Sequence, residues 1–471
     1  MSSFFKFVFI LILPIVLFSC TSPSFYNKTY EFNKDIASSK FDAAEKLLEE
    51  HKSHLENNKL RFLYYLNAGM LAHLKGDFKK SNTFFEEADL FIEDDRKKGT
   101  EETSAFLLNP NLRTYRGEDH EILLINYFKA LNYLLLNNKE DALVEVRRLN
   151  LRLQEQSDKY KSTSKYTEDA YMHLVMGLIY DANSNYNDAF IAYRNAYKIY
   201  ESDYLKNFAI SPPEQLKKDI LRTANLSGMY EEQADFEKKF NFKYTPILSD
   251  ANIIVLWHNG MGPVKEEWGL NFMIVYTGNG WVSFVSEQYG LTFPFYIGDT
   301  DLNGLTWIKV VFPKYVERKP LFTNAVISTD QEEYPLQLAE DINAISFKVL
   351  RERMNAEFAK SLLRVALKQA AAYEIGKSQD NESLGTALSF LGSATESADT
   401  RNWQTIPRTI SYVRAPISAG KQEINITLQG GPQGSETHTQ VFTFKIGETL
   451  IYPFYSLGSY EPDLNHPPGT Y

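Results

Sequence analysis

The chain has 471 residues and a mass of 54.2 kDa, enough for about two to four domains of ordinary size. Hydrophobic residues make up 44% and charged residues 23%, a globular composition that excludes wholesale disorder. The formal charge of −10 argues against a nucleic-acid-binding protein, which would carry a basic face. A single cysteine excludes a disulfide framework and any cysteine-rich zinc site.

The first twenty residues have the pattern of a bacterial lipoprotein signal. Lys6 precedes an apolar run over residues 7–18, which is too short to span a bilayer as a mature helix. The run ends in Leu17-Phe18-Ser19-Cys20, which resembles a lipobox and places the only cysteine at the lipidation position. We therefore predict a signal peptide over 1–19 and a lipidated Cys20 with its tether over 20–30. The alternatives are a cleaved secretory signal with an accidental cysteine and a short buried helix.

The next segment, over 31–240, has the spacing of tetratricopeptide repeats. Residues 62–95 and 171–204 match the repeat best, with a weaker copy around 130–146 and a half-copy at 41–48. Small side chains in this motif let two helices approach closely, and large ones fill the gap to the next repeat. The predicted packing positions are Gly69, Ala72, Ala88, Ala142, Gly177, Tyr180, Ala189 and Ala196. Such a stack offers a groove for a partner protein; the alternative is a platform that only supports the rest of the chain.

The sequence over 245–460 has the pattern of a β-rich domain. Short apolar runs separated by Gly and Pro predict strands at 253–257, 272–276, 281–285, 307–312, 325–328, 409–413, 423–428, 440–445 and 449–454. Residues 336–375 change to helical spacing and predict one long amphipathic helix or two, and a short helix is expected at 384–391. Residues 461–471 are expected to form a C-terminal tail that is loose from Asn465 onward. The predicted fold class is α+β, with a helical array first and a β-rich module second.

Four clusters of polar residues are candidates for chemistry, and each has a structural alternative. Glu118-Asp119-His120-Glu121 offers acid–base groups, but acidic residues also favour a helix start. Residues 258–263 could line a pocket, but their Gly and Pro favour a tight turn. Candidate ligand or partner contacts are Arg147, Arg148, Asp399, Arg401 and Trp403. For the last three, the alternative is an Asp–Arg pair that fixes a loop while the tryptophan anchors it.

No familiar catalytic motif occurs in the sequence. None of the eight histidines lies in an H-E-x-x-H motif, and there is no Walker A loop, G-x-G-x-x-G or G-x-S-x-G sequence. Lipidation would occupy the lone cysteine, which removes Cys–His catalysis. We therefore predict neither an enzyme nor a metal or cofactor.

Several passages resemble a widespread family of uncharacterised bacterial outer-membrane lipoproteins. In the helical part these are Gly117-Glu118-Asp119-His120-Glu121, residues 126–133, and residues 141–145 with Arg147-Arg148. In the second part they are Asn259-Gly260 with Gly262-Pro263-Val264-Lys265, residues 312–315, and most specifically Ala398-Asp399-Thr400-Arg401-Asn402-Trp403 with Ile406-Pro407. Some members of the family are encoded beside lipoproteins that resemble activators of penicillin-binding proteins. The resemblance implies a cell-envelope or peptidoglycan context and transfers no catalytic residue.

These patterns together predict a non-catalytic binding or scaffolding lipoprotein. The acyl chains at Cys20 would hold it on the outer membrane, facing the periplasm, because no acidic run follows the cysteine. The helical groove would capture an envelope protein, and no nucleic-acid partner is expected. The alternative is a periplasmic enzyme or small-ligand binder whose site lies in the β-rich half near Asp399 and Arg401.

Overall fold

A computed structural model describes residues 23–55, 59–98, 113–159, 168–247, 249–297, 306–329, 332–378, 397–432 and 434–465. The predicted signal peptide, Cys20 and the short helix at 384–391 lie outside these ranges. Within them, no helix is long and apolar enough to cross a membrane.

The chain has an α+β fold in which helices come first. They are α1 (Phe25–Lys28), α2 (Tyr30–Ala37), α3 (Phe41–Glu50), α4 (Lys52–Leu55), α5 (Arg61–Leu74), α6 (Phe78–Lys98), α7 (Asp119–Leu135), α8 (Lys139–Lys159), α9 (Ala170–Ala182), α10 (Tyr186–Ile199), α11 (Leu205–Phe208), α12 (Glu214–Leu226) and α13 (Tyr230–Phe240). A π-helical turn, Tyr200–Tyr204, joins α10 to α11. The β-rich part follows and contains one long helix, α14 (Ile342–Ser378).

Five helix pairs share one turn geometry, which defines the repeat of the tetratricopeptide-like array. In each pair, the second helix begins two residues after a residue with positive φ, and these residues are Ser39, Gly76, Asn137, Ser184 and Gly228. A left-handed backbone conformation is least costly for Gly and is tolerated by short polar residues. The sequence therefore supplies suitable residues at these turn positions. The half-copy expected at 41–48 is therefore part of a complete helix pair, α2 and α3.

Close approach within the pairs depends on small residues. A methyl group added at Gly69 of α5 would lie 2.7 Å from the Phe85 ring of α6, and one at Gly177 of α9 would meet the Tyr193 ring of α10. Tyr180 is half-buried, and the other predicted packing positions are buried.

The strands form three four-stranded sheets. Sheet 1 has the order β12-β1-β9-β8, sheet 2 the order β11-β10-β6-β7, and sheet 3 the order β4-β3-β2-β5. The strands are β1 (Ala251–Met261), β2 (Val264–Gly278), β3 (Trp281–Ser286), β4 (Leu291–Tyr296), β5 (Trp307–Val316), β6 (Asn324–Ser328), β7 (Glu333–Pro335), β8 (Gln337–Asp341), β9 (Pro407–Ile417), β10 (Gly420–Gly431), β11 (Gly434–Phe444) and β12 (Thr449–Ser456). Each predicted strand falls within or largely within one of these, while β4, β7 and β8 were not expected.

Sheet 1 is the central layer of the molecule. Ile254 and Leu256 of β1 belong to the core shared with the helices, whereas Ile253 and Val255 belong to the core shared with sheet 2. A strand that is buried on both faces reads as a continuous apolar run, which explains the sequence of β1. Sheet 3 packs one face against α14. The helical array and the β-rich part are thus joined by one continuous core.

The boundary predicted for the N-terminal tether is wrong. The tether was expected over 20–30, but a helix begins at Phe25, and Phe25 and Tyr26 are buried. At the other end, Glu461, the first residue of the predicted tail, accepts hydrogen bonds from the hydroxyls of Tyr26 (3.0 Å) and Tyr30 (3.1 Å). The two ends of the described chain are therefore fastened to each other.

The turn predicted at residues 258–263 is also wrong for its first half. His258 and Asn259 continue β1 and pair with β12 and β9, so that only Gly262 and Pro263 separate β1 from β2. Gly260 has a φ of 63°, and a Cβ there would lie 2.9 Å from Pro320. Its glycine is required by close packing inside a strand and does not mark a turn.

Candidate functional site

The inner face of the helical array is the predicted partner groove, and it is covered by this chain's own β-rich part. The first helices of the pairs, α5, α7, α9 and α12, provide this face. Asn67 of α5 contacts Thr405, Tyr127 of α7 contacts His258, and Asp181 of α9 pairs with Arg414. Sheet 1 and the segment before β9 therefore occupy the groove that was predicted to capture a partner.

An aromatic and histidine cluster fills the middle of this contact. The Tyr171 hydroxyl donates to that of Tyr127 (2.9 Å), which lies 2.7 Å from His258 Nε2. The His258 ring stacks on Tyr455 with centroids 4.3 Å apart, and the Tyr455 hydroxyl lies 2.5 Å from His73 Nε2. Burial lowers the pKa of His73 to about 4 and, with His73 adding, that of His258 to about 3. Both imidazoles are neutral and act here as packing and hydrogen-bonding groups.

Charged groups close the contact at one end. Glu118 caps α7 in a capping box with Glu121, so the helix start predicted at Glu118-Asp119-His120-Glu121 is confirmed. Lys265 Nζ lies 2.5 Å and Arg353 2.8 Å from the Glu118 carboxylate. Burial alone would raise the pKa of Glu118, but these two cations outweigh burial and hold it well below its usual range. Burial and the charge of Glu118 raise the pKa of Glu121 to about 6.

The segment with Asp399, Arg401 and Trp403 fastens the β-rich part to the array. Arg401 makes a two-point ion pair with Asp399 (Nε–Oδ1 2.8 Å, Nη2–Oδ2 2.7 Å) and donates from Nη1 to the carbonyls of Lys59 and Arg113. Trp403 is fully buried, and its backbone N–H donates to Glu121. The structure thus shows an Asp399–Arg401 pair that fixes the segment and a buried Trp403 that anchors it, which was the structural alternative for these three residues. The hydrogen-bond donors described for Arg401 and Trp403 contact protein groups.

A second buried cluster of charged groups lies at the other end of the contact between the array and the β-rich part. Arg414 of β9 lies 2.7 Å from Asp219 and 2.5 Å from Asp181, and Arg222 contacts the same carboxylates. Arg414 and both aspartates are buried, so each charge depends on the others for compensation. Burial nevertheless raises the pKa of Asp219.

A buried carboxyl pair lies at the start of α14. The Tyr204 hydroxyl is 3.1 Å from both Asp169 Oδ1 and Glu340 Oε2. Burial, with the charge of Asp169 adding, raises the pKa of Glu340 well above its usual value. Such a pair would suggest acid–base chemistry if it opened to a cavity. Its side chains are buried in the same continuous core and line none of the cavities described below.

The outer face of the array has two clefts, one on each side of α8. The cleft toward α6 has a volume of about 530 Å³ and is lined by Arg148, Glu86 and Tyr133. The cleft toward α10 has about 350 Å³ and is lined by Arg147 and Leu151. The two candidate arginines therefore lie on opposite sides of one helix, each at the edge of a cleft.

The two arginines contact different side chains. Arg148 pairs with Glu86 (3.3 Å) and Glu145 (3.1 Å), carboxylates that also contact the buried Lys129. Arg147 is exposed, borders the other cleft and donates a hydrogen bond to the Tyr180 side chain. Leu151, which is 58% exposed, lies one helical turn beyond Arg147, and Ile191 lines the same cleft and is 37% exposed.

A larger cavity of about 880 Å³ lies beside Arg401 and the N-terminal helices. Leu47, Leu48, Leu60 and Leu63 supply apolar lining, and Glu267 and His51 border it. In the ranges that the structure describes, no group of three or more His, Cys, Asp or Glu side chains could hold a metal ion.

Comparisons with known proteins give no identity. No family model and no curated protein matches the chain. Among solved structures, BtubC (BKLC) from P. vanneervenii is similar over 45% of this chain and 79% of its own, with 14% sequence identity and a TM-score of 0.30.

The sequence analysis missed the residues that join the two parts. Arg414, Lys265 and Glu340 are buried and lie in strands β9, β2 and β8. A charged residue at a core-facing position of a strand predicts a buried partner, and that signal was present for Arg414 between Val413 and Ala415.

Proposed function

We propose that this chain is a non-catalytic cell-envelope lipoprotein that acts as a scaffold on the periplasmic side of the outer membrane. Lipidation of Cys20 would anchor it by several acyl chains, each buried methylene adding about 0.8 kcal/mol. The helix start at Phe25 supports a short connection, because only four residues separate Cys20 from the first helix. The body would then lie close to the membrane, which raises the local concentration of partners on the same surface.

The binding surface we propose is the outer face of α8 and not the inner groove. The observation that carries this proposal is the cleft between α8 and α10, where Arg147, Leu151 and Ile191 are exposed together. Apolar side chains flanked by an arginine are typical of protein-binding sites. The partner class is an envelope protein with an acidic and apolar segment, in agreement with the peptidoglycan context that the family resemblance implies.

Crosslinking in intact cells tests the proposed surface. The protein would be isolated from membranes after crosslinking, and attached proteins would be quantified. Arg147→Glu with Leu151→Ser should reduce capture of the specific partner at least about tenfold, the effect of losing roughly 1.4 kcal/mol of binding. Lys238→Glu with Leu226→Ser alters an exposed lysine and a 49% exposed leucine elsewhere on the array and should leave capture unchanged. Equal capture by both variants would contradict the proposed surface.

The anchor has an independent test. The intact mass of the membrane-isolated chain should correspond to residues 20–471 carrying acyl chains, and Cys20→Ala should release the protein from membranes or stall its maturation. An unmodified Cys20, or normal membrane retention of the alanine variant, would contradict the lipoprotein assignment.

A second candidate function is small-ligand binding in the cavity beside Arg401. Its volume of about 880 Å³ is within the range of ligand pockets, and its leucine lining suits a molecule with an apolar body. Mass spectrometry of the natively purified protein should then detect a stoichiometric small molecule, and Leu47→Trp should exclude it by filling the cavity. An empty cavity in the natural protein would contradict this function without affecting the scaffold proposal.

A further inference from the structure

One face of sheet 3 is apolar, aromatic and exposed. Strand residues alternate between faces, and the positions of β2 and β3 that face α14, such as Phe272 and Phe284, are fully buried. The opposite positions, which we call the aromatic face, are Met273, Val275, Trp281, Val285, Tyr296 and Trp307. The exposed fractions of Trp281, Tyr296 and Trp307 are 46%, 65% and 60%.

The pairing register places these side chains next to one another. Trp281 pairs with Tyr296 across β3 and β4, with ring centroids 5.4 Å apart, and Trp307 pairs with Met273 across β5 and β2. Val285 also pairs with Met273, from the other side of β2. The face is therefore continuous across all four strands. None of its six residues carries a charge, while Lys309, two residues after Trp307 and paired with Asn271, lies on the same side of the sheet. Exposed patches of this kind mark protein or membrane contacts.

The described chain begins on the same side of sheet 3. Glu267 lies on β2 six residues before Met273, and an even offset in a strand keeps a side chain on one face. Pro23 and Ser24 directly precede α1, which contacts β2, and Lys28 of α1 interacts electrostatically with Glu267. The start of the described chain therefore lies near Glu267, and Pro23, Ser24 and Glu267 line one cavity. Cys20 precedes Pro23 by three residues, and an extended chain spans at most about 3.6 Å per residue, so the lipid attachment point is at most about 11 Å from Pro23. Six strand residues span about 20 Å, which is the distance from Glu267 to the near edge of the aromatic face.

We propose that the aromatic face of sheet 3 rests on the bilayer that holds the lipid anchor. This inference rests on the proposed lipidation of Cys20. Trp and Tyr are the side chains enriched at the level of lipid headgroups. The anchor and the aromatic face form two attachments to one plane, which fix the orientation of the body. Lys309 lies on the same side of β5 but interacts with Glu267, so the contact depends mainly on the aromatic side chains and should persist at high salt.

Fluorescence quenching by brominated lipids tests this contact. Membrane-isolated protein would be reconstituted into phosphatidylcholine–phosphatidylethanolamine vesicles with bromine near the headgroup end of the acyl chains. Trp281 and Trp307 are two of five tryptophans, and Trp257 and Trp403 are buried. We expect bromine to remove up to about two fifths of the emission, at low salt and at 1 M salt alike, and Trp281→Phe with Trp307→Phe should abolish this loss.

A matched control places a tryptophan on another exposed surface. Tyr230 begins α13 and is 67% exposed. Tyr230→Trp in the double-phenylalanine background should remain unquenched, because the proposed orientation holds the aromatic face, and not α13, against the lipid. Equal quenching of this tryptophan and of Trp281 would overturn the proposed orientation.

The outcomes separate this inference from the proposed function. Protein that floats with the vesicles but shows no quenching would overturn the bilayer contact alone and leave the anchor standing; a partner protein, a second copy or another segment of the chain would then be the occupant of the face. Protein that does not float with the vesicles would overturn both the anchor and the bilayer contact.

Discussion

The inner face of the helical array and the aromatic face of sheet 3 are both rich in large apolar side chains, but only the first is covered. Tyr127 and Tyr171 on the array are fully buried against sheet 1, whereas Trp281 and Trp307 on sheet 3 are exposed. The covered face also carries buried charges that pair across it, whereas the six residues of the aromatic face carry none. A repeat array does not have to bind a partner in its groove, because a later part of the same chain can fill it.

This difference moves the search for function to the outside of the molecule. The groove was the natural candidate from the repeats, and its closure leaves the α8 clefts and sheet 3 as open surfaces. Each suits a different contact, since the clefts are bordered by arginine whereas the aromatic face exposes two tryptophans and a tyrosine.

The largest expected effect is a difference in the free energy of unfolding between variants of two tryptophans. One packs against the covered face of the array, and the other lies on the aromatic face of sheet 3. Trp403 is fully buried between Phe85 and Phe128, with ring centroids 5.9 Å away in each case. Trp403→Ala should lower the free energy of unfolding by about 3–5 kcal/mol. Trp307→Ala should change it by less than about 0.5 kcal/mol, because the side chain is 60% exposed. Urea unfolding of both variants measures the difference, and similar losses would break the comparison.

Buried charge on the covered face should have the next largest effect. Arg414→Met leaves Asp181 and Asp219 buried with only Arg222 for compensation, and should cost about 3 kcal/mol. The control is Lys239→Met, which breaks an exposed pair with Glu201 and should cost at most about 1 kcal/mol. Chemical denaturation at low and high salt measures both. A loss for Arg414→Met no greater than for the control would show that sheet 1 does not depend on the array.

The smallest effect is a pH dependence that comes from His258. Its folded pKa, about 3, lies below the unfolded value of 6.5, so the unfolded state binds more protons as the pH falls. Stability from this group is complete above about pH 6.5 and decreases toward pH 3, by up to about 1.4 kcal/mol per pH unit. Buried carboxyls with raised pKa values act in the opposite direction, so the test compares variants.

His258→Phe removes this titration and keeps a ring against Tyr455. Between about pH 7.5 and pH 5, the variant should lose less unfolding free energy than the natural protein, by up to about 2 kcal/mol. Denaturant midpoints at the two pH values provide the measurement. Identical pH dependence in both proteins would mean that His258 is reached by water in the folded state.

The sequence allowed the elements to be predicted better than their arrangement. Helix pairs and strands follow from local spacing, and turn residues such as Gly76 and Asn137 stand where the backbone needs positive φ. The turn prediction at His258-Asn259-Gly260 failed because pairing with β12 and β9 outweighed the local preference of Gly for turns. For Arg401 the local pair with Asp399 was foreseeable. Its other acceptors, the carbonyls of Lys59 and Arg113, are about 300 residues away in sequence and were not.

The functional surfaces were harder to predict for the same reason. Trp281, Ser283 and Val285 alternate with buried residues, which shows that they share a face, but no local pattern shows whether another element covers that face. Exposure depends on contacts between distant segments. The same limitation led the repeat pattern to suggest an open groove.

Hydroxyl-radical footprinting of the membrane-isolated protein in detergent tests the central claim most directly, because it reports the solvent access of individual aromatic side chains. If the β-rich part closes the array, Tyr127 and Tyr171 should remain unmodified while Trp307 and Tyr230 react. Modification of Tyr127 and Tyr171 at the rate of Tyr230 would mean that the inner face is open to solvent, and would contradict this account.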